Sequence, residues 1–363
     1  MINARPAAPA IGAWGQCRAA AVTLLGMKNV RLILPLIAAL VAVGMAVRYG
    51  NGQAAPTSRS PVASPQLVIL DTDIGDDIDD AFALALALRS PELKILGVTT
   101  AFGDTELRAR LVSRYLDAAG RSDIPVTAGV ETKTDNVLTQ AAYARQGPRF
   151  STLDPLKEWH YLDGVDFLLD QIRRYPGQIT LIAIGPLFNV QAAIERDPAT
   201  FKKLRRVVMM GGSINRGYDG RNGEHRPPDT EWNISRDPAG AKALFAAGVP
   251  IFMMPLDSTQ IRLETAKREA IFAHGSPLTD QLTLLYHQWR ELNPGHATTP
   301  TLFDPVAVTY AIRPDLCPAS PMRIEVDDKG FTRSVPGTPN AQVCLRSDEK
   351  EFLKFMLSRV TGE

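Results

Sequence analysis

The chain has 363 residues, 45% apolar and 22% charged, which excludes wholesale disorder and fibrous repeats. It leaves room for one large or two ordinary domains. A formal charge of +1, with no basic–aromatic patch, argues against nucleic acid as a partner. That charge averages two unlike segments: residues 1–70 hold six basic residues and no acidic one, leaving 34 basic against 39 acidic residues in the remainder.

Residues 32–47 read LILPLIAALVAVGMAV, without a charge, behind Lys28 and Arg31. A basic start, an apolar stretch and small residues after it are the layout of a secretory signal peptide. Sixteen residues, Pro35 among them, fall short of the roughly 20 that span a bilayer, and an uncleaved membrane anchor is the alternative. Residues 1–50 are expected to be a leader that directs export, to the periplasm or beyond, with Met27 as a second candidate start. The Pro/Ser/Ala-rich stretch 51–66 is expected to be a disordered linker, and 67–363 the folded domain. Cys317 and Cys344 fall in that domain and are compatible either with one disulfide or with two buried thiols. No CxxC is present to support a zinc or redox site.

Short apolar runs predict strands at 67–71, 94–100, 178–184, 205–210 and 249–255. Helices are predicted at 79–89, 106–119, 187–196, 237–247 and 277–292. The alternation indicates an α/β domain, a mostly parallel central sheet with helices on both faces. Functional residues are then expected just past the carboxyl ends of the strands. The polar, Gly/Pro-rich stretch 213–230 is expected to be a mobile loop.

Straight after the first strand stand Asp71, Asp73, Asp76, Asp77, Asp79 and Asp80, six carboxylates in ten residues. At the end of a buried strand they cannot all be simply solvated. Helix capping accounts for one or two of them, not six. Carboxylate oxygens suit a hard cation, and Ca²⁺ tolerates irregular oxygen geometry. An EF-hand is excluded because Gly75 is fifth from Asp71 and position 82 is Phe. A phosphohydrolase with an aspartate nucleophile is disfavoured by Gly75, where such enzymes carry Thr or Val.

The stretch from Asp71 to Ala81 resembles the DxDxGxDDAxAL signature of the inosine–uridine-type nucleoside hydrolases. Further stretches match in the same order: Gly97-Val-Thr-Thr-Ala-Phe-Gly103-Asp104, Gly185-Pro-Leu-Phe188-Asn189, Val208-Met-Met210-Gly-Gly, Glu231-Trp-Asn233, Met254-Pro-Leu-Asp257 and Phe303-Asp304-Pro-Val-Ala-Val. The resemblance spans about residues 67–312. It implies a Ca²⁺-dependent hydrolase that splits ribonucleosides into ribose and free base, usually as a homo-oligomer. Carried over residue by residue, it implies Asp73, Asp80, Asp304 and the Phe188 carbonyl as cation ligands. Asp73 doubles as the general base toward water. Asp79, Asp104, Glu231 and Asn233 would hold the ribose, with Met210 beside the sugar or simply in the core.

Three departures bear on that carry-over. Two extra residues separate Gly75 from the Asp-Asp pair, so anchoring on Gly75 selects Asp77 in place of Asp79. Asp104 replaces an Asn common in the family. Phe303 stands where some members carry a His that protonates the leaving base; Tyr286, Trp289, His287 and His296 are the candidates to replace it. Two other functions are compatible with the same residues: hydrolysis of another ribosyl conjugate, or non-catalytic nucleoside binding around a retained calcium site.

Overall fold

A computed structural model describes residues 64–136, 138–147, 163–220, 223–293 and 299–362. The leader, its apolar run 32–47, most of the 51–66 linker and His296 lie outside the described residues. Nine strands form one sheet: β1 Gln66–Thr72, β2 Leu93–Thr100, β3 Val126–Ala128, β4 Thr180–Ala183, β5 Arg206–Met210, β6 Ile251–Met254, β7 Ala319–Val326, β8 Thr332–Val335 and β9 Ala341–Cys344. Their order is β3-β2-β1-β4-β5-β6-β9-β7-β8. Neighbours from β3 through β9 run parallel, while β7 is antiparallel to both β9 and β8.

Successive side chains of a strand point to opposite faces, and here both faces are apolar. Val68 and Leu70 of β1 join one cluster with Ile182, Val208 and Met254, whereas Ile69 joins another with Leu181, Val207 and Met253. Helices Asp79–Leu88, Thr105–Ala118, Pro277–Leu292 and Asp304–Ile312 cover the first face. Helices Gly164–Arg174, Phe188–Arg196 and Pro238–Ala246 cover the second. The fold is therefore the expected α/β sandwich of helices about a mostly parallel sheet. Helix Asp79–Leu88 is buried along nearly its whole length, which suits a run of Ala and Leu with no polar face.

The five predicted strands are present, with ends displaced by up to two residues. β3 and the β7–β8–β9 edge were not anticipated. β3 has only three residues, and β7 is largely exposed, so neither presents a buried apolar run. Cys317 and Cys344 form a disulfide that ties the start of β7 to the end of β9. Among the described residues no helix is long and apolar enough to cross a membrane.

The strand order reverses at β1, with β2 and β3 on one side and β4 on the other. At such a reversal the connections diverge and leave a crevice beyond the carboxyl ends of the strands. The aspartate-rich segment runs into that crevice.

Candidate active site

β1 delivers the chain to Asp73 and then turns sharply at Gly75, whose φ of +123° favours glycine. A Cβ there would also meet Leu138 Cδ1 at 2.7 Å. The two extra residues are taken up in a short turn before the helix starts at Asp79. Asp79 and Asp80 occupy the first turn of that helix, and Asp304 opens the helix Asp304–Ile312. Both helix N-termini favour negative charge. Carboxylate oxygens of Asp79, Asp80 and Asp304 gather within 4.8 Å of one another, and all three residues are buried. Thr72 Oγ1 donates to Asp80 Oδ1, and the Asp304 backbone N–H donates to Asp79 Oδ2 at 3.1 Å.

A cavity of about 460 Å³ opens over this trio. Asp73, Asp76, Asp77, Asp79, Asp80, Glu231 and Asp304 line it, and none of the described lining residues is Lys, Arg or His. Burial and mutual repulsion push Asp79, Asp80 and Asp304 well above the usual carboxylate range. Burial takes Asp73 up to about 7, with the Arg108 guanidinium opposing and Asp76 reinforcing the shift. Buried oxygen-only donors that repel one another fit a hard divalent cation, which would compensate their charge. Among the described residues no other such trio occurs. A larger hollow of about 1100 Å³, bounded by Arg216, Asp257 and Ser347, therefore offers no comparable cation site.

Glu231 caps the helix Trp232–Arg236: Oε1 accepts from Asn233 N at 2.9 Å, and Oε2 from Gly212 N at 3.0 Å and Ile234 N at 3.1 Å. Burial nevertheless pushes it up to about 7. A carboxylate offers about four acceptor positions, so roughly one is left for a ligand. Asn233 Nδ2 donates to the Met210 carbonyl at 3.2 Å and reaches its Sδ at 3.6 Å, which leaves Oδ1 to accept. Met210 both lines the cavity and packs in the core, so its two readings coincide.

Phe188 begins its helix half-buried and does not line the cavity; its ring stacks on Phe102, centroids 6.2 Å apart. Asn189 beside it is fully buried, donating to Asp71 Oδ1 at 2.7 Å and the Thr100 carbonyl at 3.1 Å while accepting from Val130 N at 2.7 Å. These bonds fix the start of the helix against the ends of β1 and β2. Asp104 is placed elsewhere: it is exposed, caps the helix Thr105–Ala118 by accepting from Leu107 N at 2.9 Å, and is not among the cavity residues. Asp77 and Asp79 both line the cavity, Asp79 buried in the trio and Asp77 exposed.

Of the residues considered for the leaving base, Trp289 lines the cavity with Phe303. Tyr286 is buried in the core and His287 is exposed; neither reaches the cavity. Tyr218, from the 213–230 stretch, lines the cavity too, edge-on to Phe303 at 6.0 Å, its hydroxyl accepting from Trp232 N at 3.0 Å. The described part of that stretch has no helix or strand, but Asp257 accepts from Ile214 N and Asn215 N, and Gln260 from Asp219 N. Sequence reasoning missed Tyr218, Asn136 and Arg108. For Arg108 a signal existed: it shares the apolar stripe of its helix with Leu111, Val112 and Tyr115, where an exposed Arg does not belong.

Phe102 has a φ of +63°, the one positive value at a non-glycine among the described residues. Such a backbone costs a bulky residue about 1–3 kcal/mol and persists only where its surroundings hold it. Arg108 Nε donates to its carbonyl at 2.7 Å, and its ring packs against Phe188 and, edge-on at 6.0 Å, Trp232.

Residues 68–354 match the sequence profile of the inosine–uridine preferring nucleoside hydrolases. The chain is 30% identical over 279 residues to a probable uridine nucleosidase 2 of Arabidopsis thaliana, covering 74% of this chain and 84% of that protein. It is 27% identical over 312 residues to a pyrimidine-specific ribonucleoside hydrolase of Citrobacter koseri, covering 81% and 97%. Among solved structures, a purine-preferring ribonucleoside hydrolase from Gardnerella vaginalis superposes with a TM-score of 0.68 at 25% identity, covering 82% of this chain and 98% of that one. Ordered motifs, strand topology and a carboxylate-lined crevice at the sheet reversal agree with these likenesses, and the chain belongs to the inosine–uridine preferring nucleoside hydrolase family.

Proposed function

We propose that the protein hydrolyses the N-glycosidic bond of ribonucleosides, releasing ribose and free base, with Ca²⁺ as its cation. The observation that carries this reading is the buried trio Asp79, Asp80 and Asp304 opening into the same cavity as Asp73, Glu231 and Asn233. Asp73, Asp80, Asp304 and the Phe188 carbonyl would hold the ion. When bound, it supplies positive charge that orients and acidifies water and anchors ribose hydroxyls.

Asp73 acts as the general base: its buried carboxylate faces the cavity, where it can take a proton from water. Asn233 Oδ1 and the spare position on Glu231 accept from ribose hydroxyls, and Asp79 contributes a further acceptor. The lining carboxylates stabilise the positive charge that grows on the ribose ring as the bond breaks. On the base side, Trp289, Phe303 and Tyr218 offer flat or edge-on aromatic surface, which excludes water from the departing base. Asp104 takes no part in this mechanism and serves its helix as a cap.

We further propose that the chain is exported under the direction of residues 1–50, with 32–47 as an anchor if the leader is retained, and that it assembles as a homo-oligomer. The Cys317–Cys344 disulfide supports an oxidising destination. Fractionation of cells expressing the full chain, and sedimentation of the purified protein, test these points. For the reaction, a panel of purine and pyrimidine nucleosides assayed for reducing sugar, with Ca²⁺ and with chelator, is decisive. Sugar release that stops with chelator is expected; no release from any nucleoside would refute the reading.

A further inference from the structure

Arg108 does not line the cavity, yet its guanidinium bonds two residues that do, Asp73 and Asp76. The side chain is 2% exposed, among the largest that are fully buried. Nε donates to the Phe102 carbonyl at 2.7 Å, Nη1 to the carbonyls of Asp73 and, at 3.0 Å, Ile74, and Nη2 to Asp76 Oδ2 at 2.7 Å. The same Asp76 oxygen accepts from Asn136 Nδ2 at 2.8 Å, and Asn136 lines the cavity. Through Phe102 the contact extends to Phe188 and Trp232. Phe188 carries the proposed carbonyl ligand, and Trp232 stands between Glu231 and Asn233 in the chain.

We propose that Arg108 is a positioning residue for the hydrolytic reaction: together with Phe102, whose left-handed backbone it locks, it aligns Asp73 and Phe188 for the cation and Trp232 for the sugar pocket. The inference rests on the hydrolase reading above. A side chain that only filled space would need neither a charge nor four separate acceptors. The planar fork meets three carbonyls and one carboxylate at once, which the compact ammonium of Lys cannot reproduce. With the cavity lined by carboxylates, the buried guanidinium also opposes their repulsion without entering the space a substrate takes.

The test compares the wild type with Arg108→Lys and Phe102→Gly, the latter keeping the left-handed backbone but removing the ring. Calcium affinity is measured by calorimetry, kcat and KM with a nucleoside at saturating Ca²⁺, and folding by near-ultraviolet circular dichroism. Loss of such supporting contacts typically costs about 10–100-fold in metal affinity or activity. Both variants are expected to lose affinity and kcat on that scale, with KM changed less than about threefold. Calcium affinity and kcat within about twofold of wild type in either folded variant would overturn the proposal, even if its melting temperature fell. Should Arg108→Lys not fold, Phe102→Gly carries the test alone. If the wild type releases no sugar, the hydrolase reading fails, while the calcium affinities still decide the part played by Arg108.

Discussion

Two sets of acidic residues stand at helix N-termini in this molecule, and burial makes them opposites. Asp197 lies near the surface, accepts from Thr200 N at 2.9 Å and from Arg173 at 3.0 Å, and is pulled down to about 2 by the Thr200 side chain and backbone together with Arg173. Asp104 is an exposed cap of the same kind. Asp79, Asp80 and Asp304 also open helices, but they are buried together and pushed well above the usual range. A surface cap is satisfied by its own helix and stabilises the fold by itself. The buried trio repels itself, and its arrangement makes sense with a cation between the carboxylates.

The contrast breaks first on catalysis. Asp73→Asn keeps the size of the side chain but removes the proposed base, and kcat for nucleoside hydrolysis is expected to fall about 10²–10⁴-fold. Asp304→Asn removes one arm of the trio; calcium affinity, read by calorimetry, should drop by more than about 100-fold, beyond the usual cost of a supporting contact.

pH sharpens the contrast further. Without cation, Asp71 titrates at about 6 and Asp73 and Glu231 at about 7 in the folded chain, all raised by burial above their ordinary values of 3.8 and 4.5. Between those limits the folded state holds more protons than the unfolded one, so stability falls as pH rises through the window. Melting temperature in chelator is therefore expected to drop from pH 4.5 toward pH 7.5. Added Ca²⁺ should restore it most at the upper end, where the ligands are ionised. Asp197 has the opposite sign: its lowered value contributes stability above 3.8 that is lost only as pH falls toward 2.

The smallest effect is expected at Asp104. Asp104→Ala should cost about 1 kcal/mol in thermal or urea unfolding through the lost cap. Its kcat/KM should stay within about threefold of wild type, because that range is less than about 0.7 kcal/mol. A loss of activity comparable to that of Asp73→Asn would return Asp104 to the ribose site.

These two sets also differ in how plainly the sequence shows them. Six aspartates after a buried strand are unusual enough in sequence to announce a cation site, and the five buried strands announce themselves as apolar runs. A single Asp ahead of a helix carries no such information: Asp104 as cap and Asp104 as ligand look alike in one dimension. Tyr218 comes from an irregular stretch with no periodicity to read, and it becomes meaningful only where its hydroxyl meets Trp232 N. Arg108 reads as one of several arginines on its helix until the stripe it shares with Leu111 and Tyr115 is traced. β7 and β8 escaped because each has only one buried residue and lacks the apolar signature that reveals the central strands, and β9, though mostly buried, has only four residues.

The most direct test of the account is a titration of chelator-stripped protein with Ca²⁺ in the presence of a cleavable nucleoside, reading bound ion and released ribose together. One ion per active chain is expected, with sugar release rising in proportion to occupancy and absent at zero. Full sugar release from stripped protein, or saturation with calcium that leaves every nucleoside intact, would contradict it.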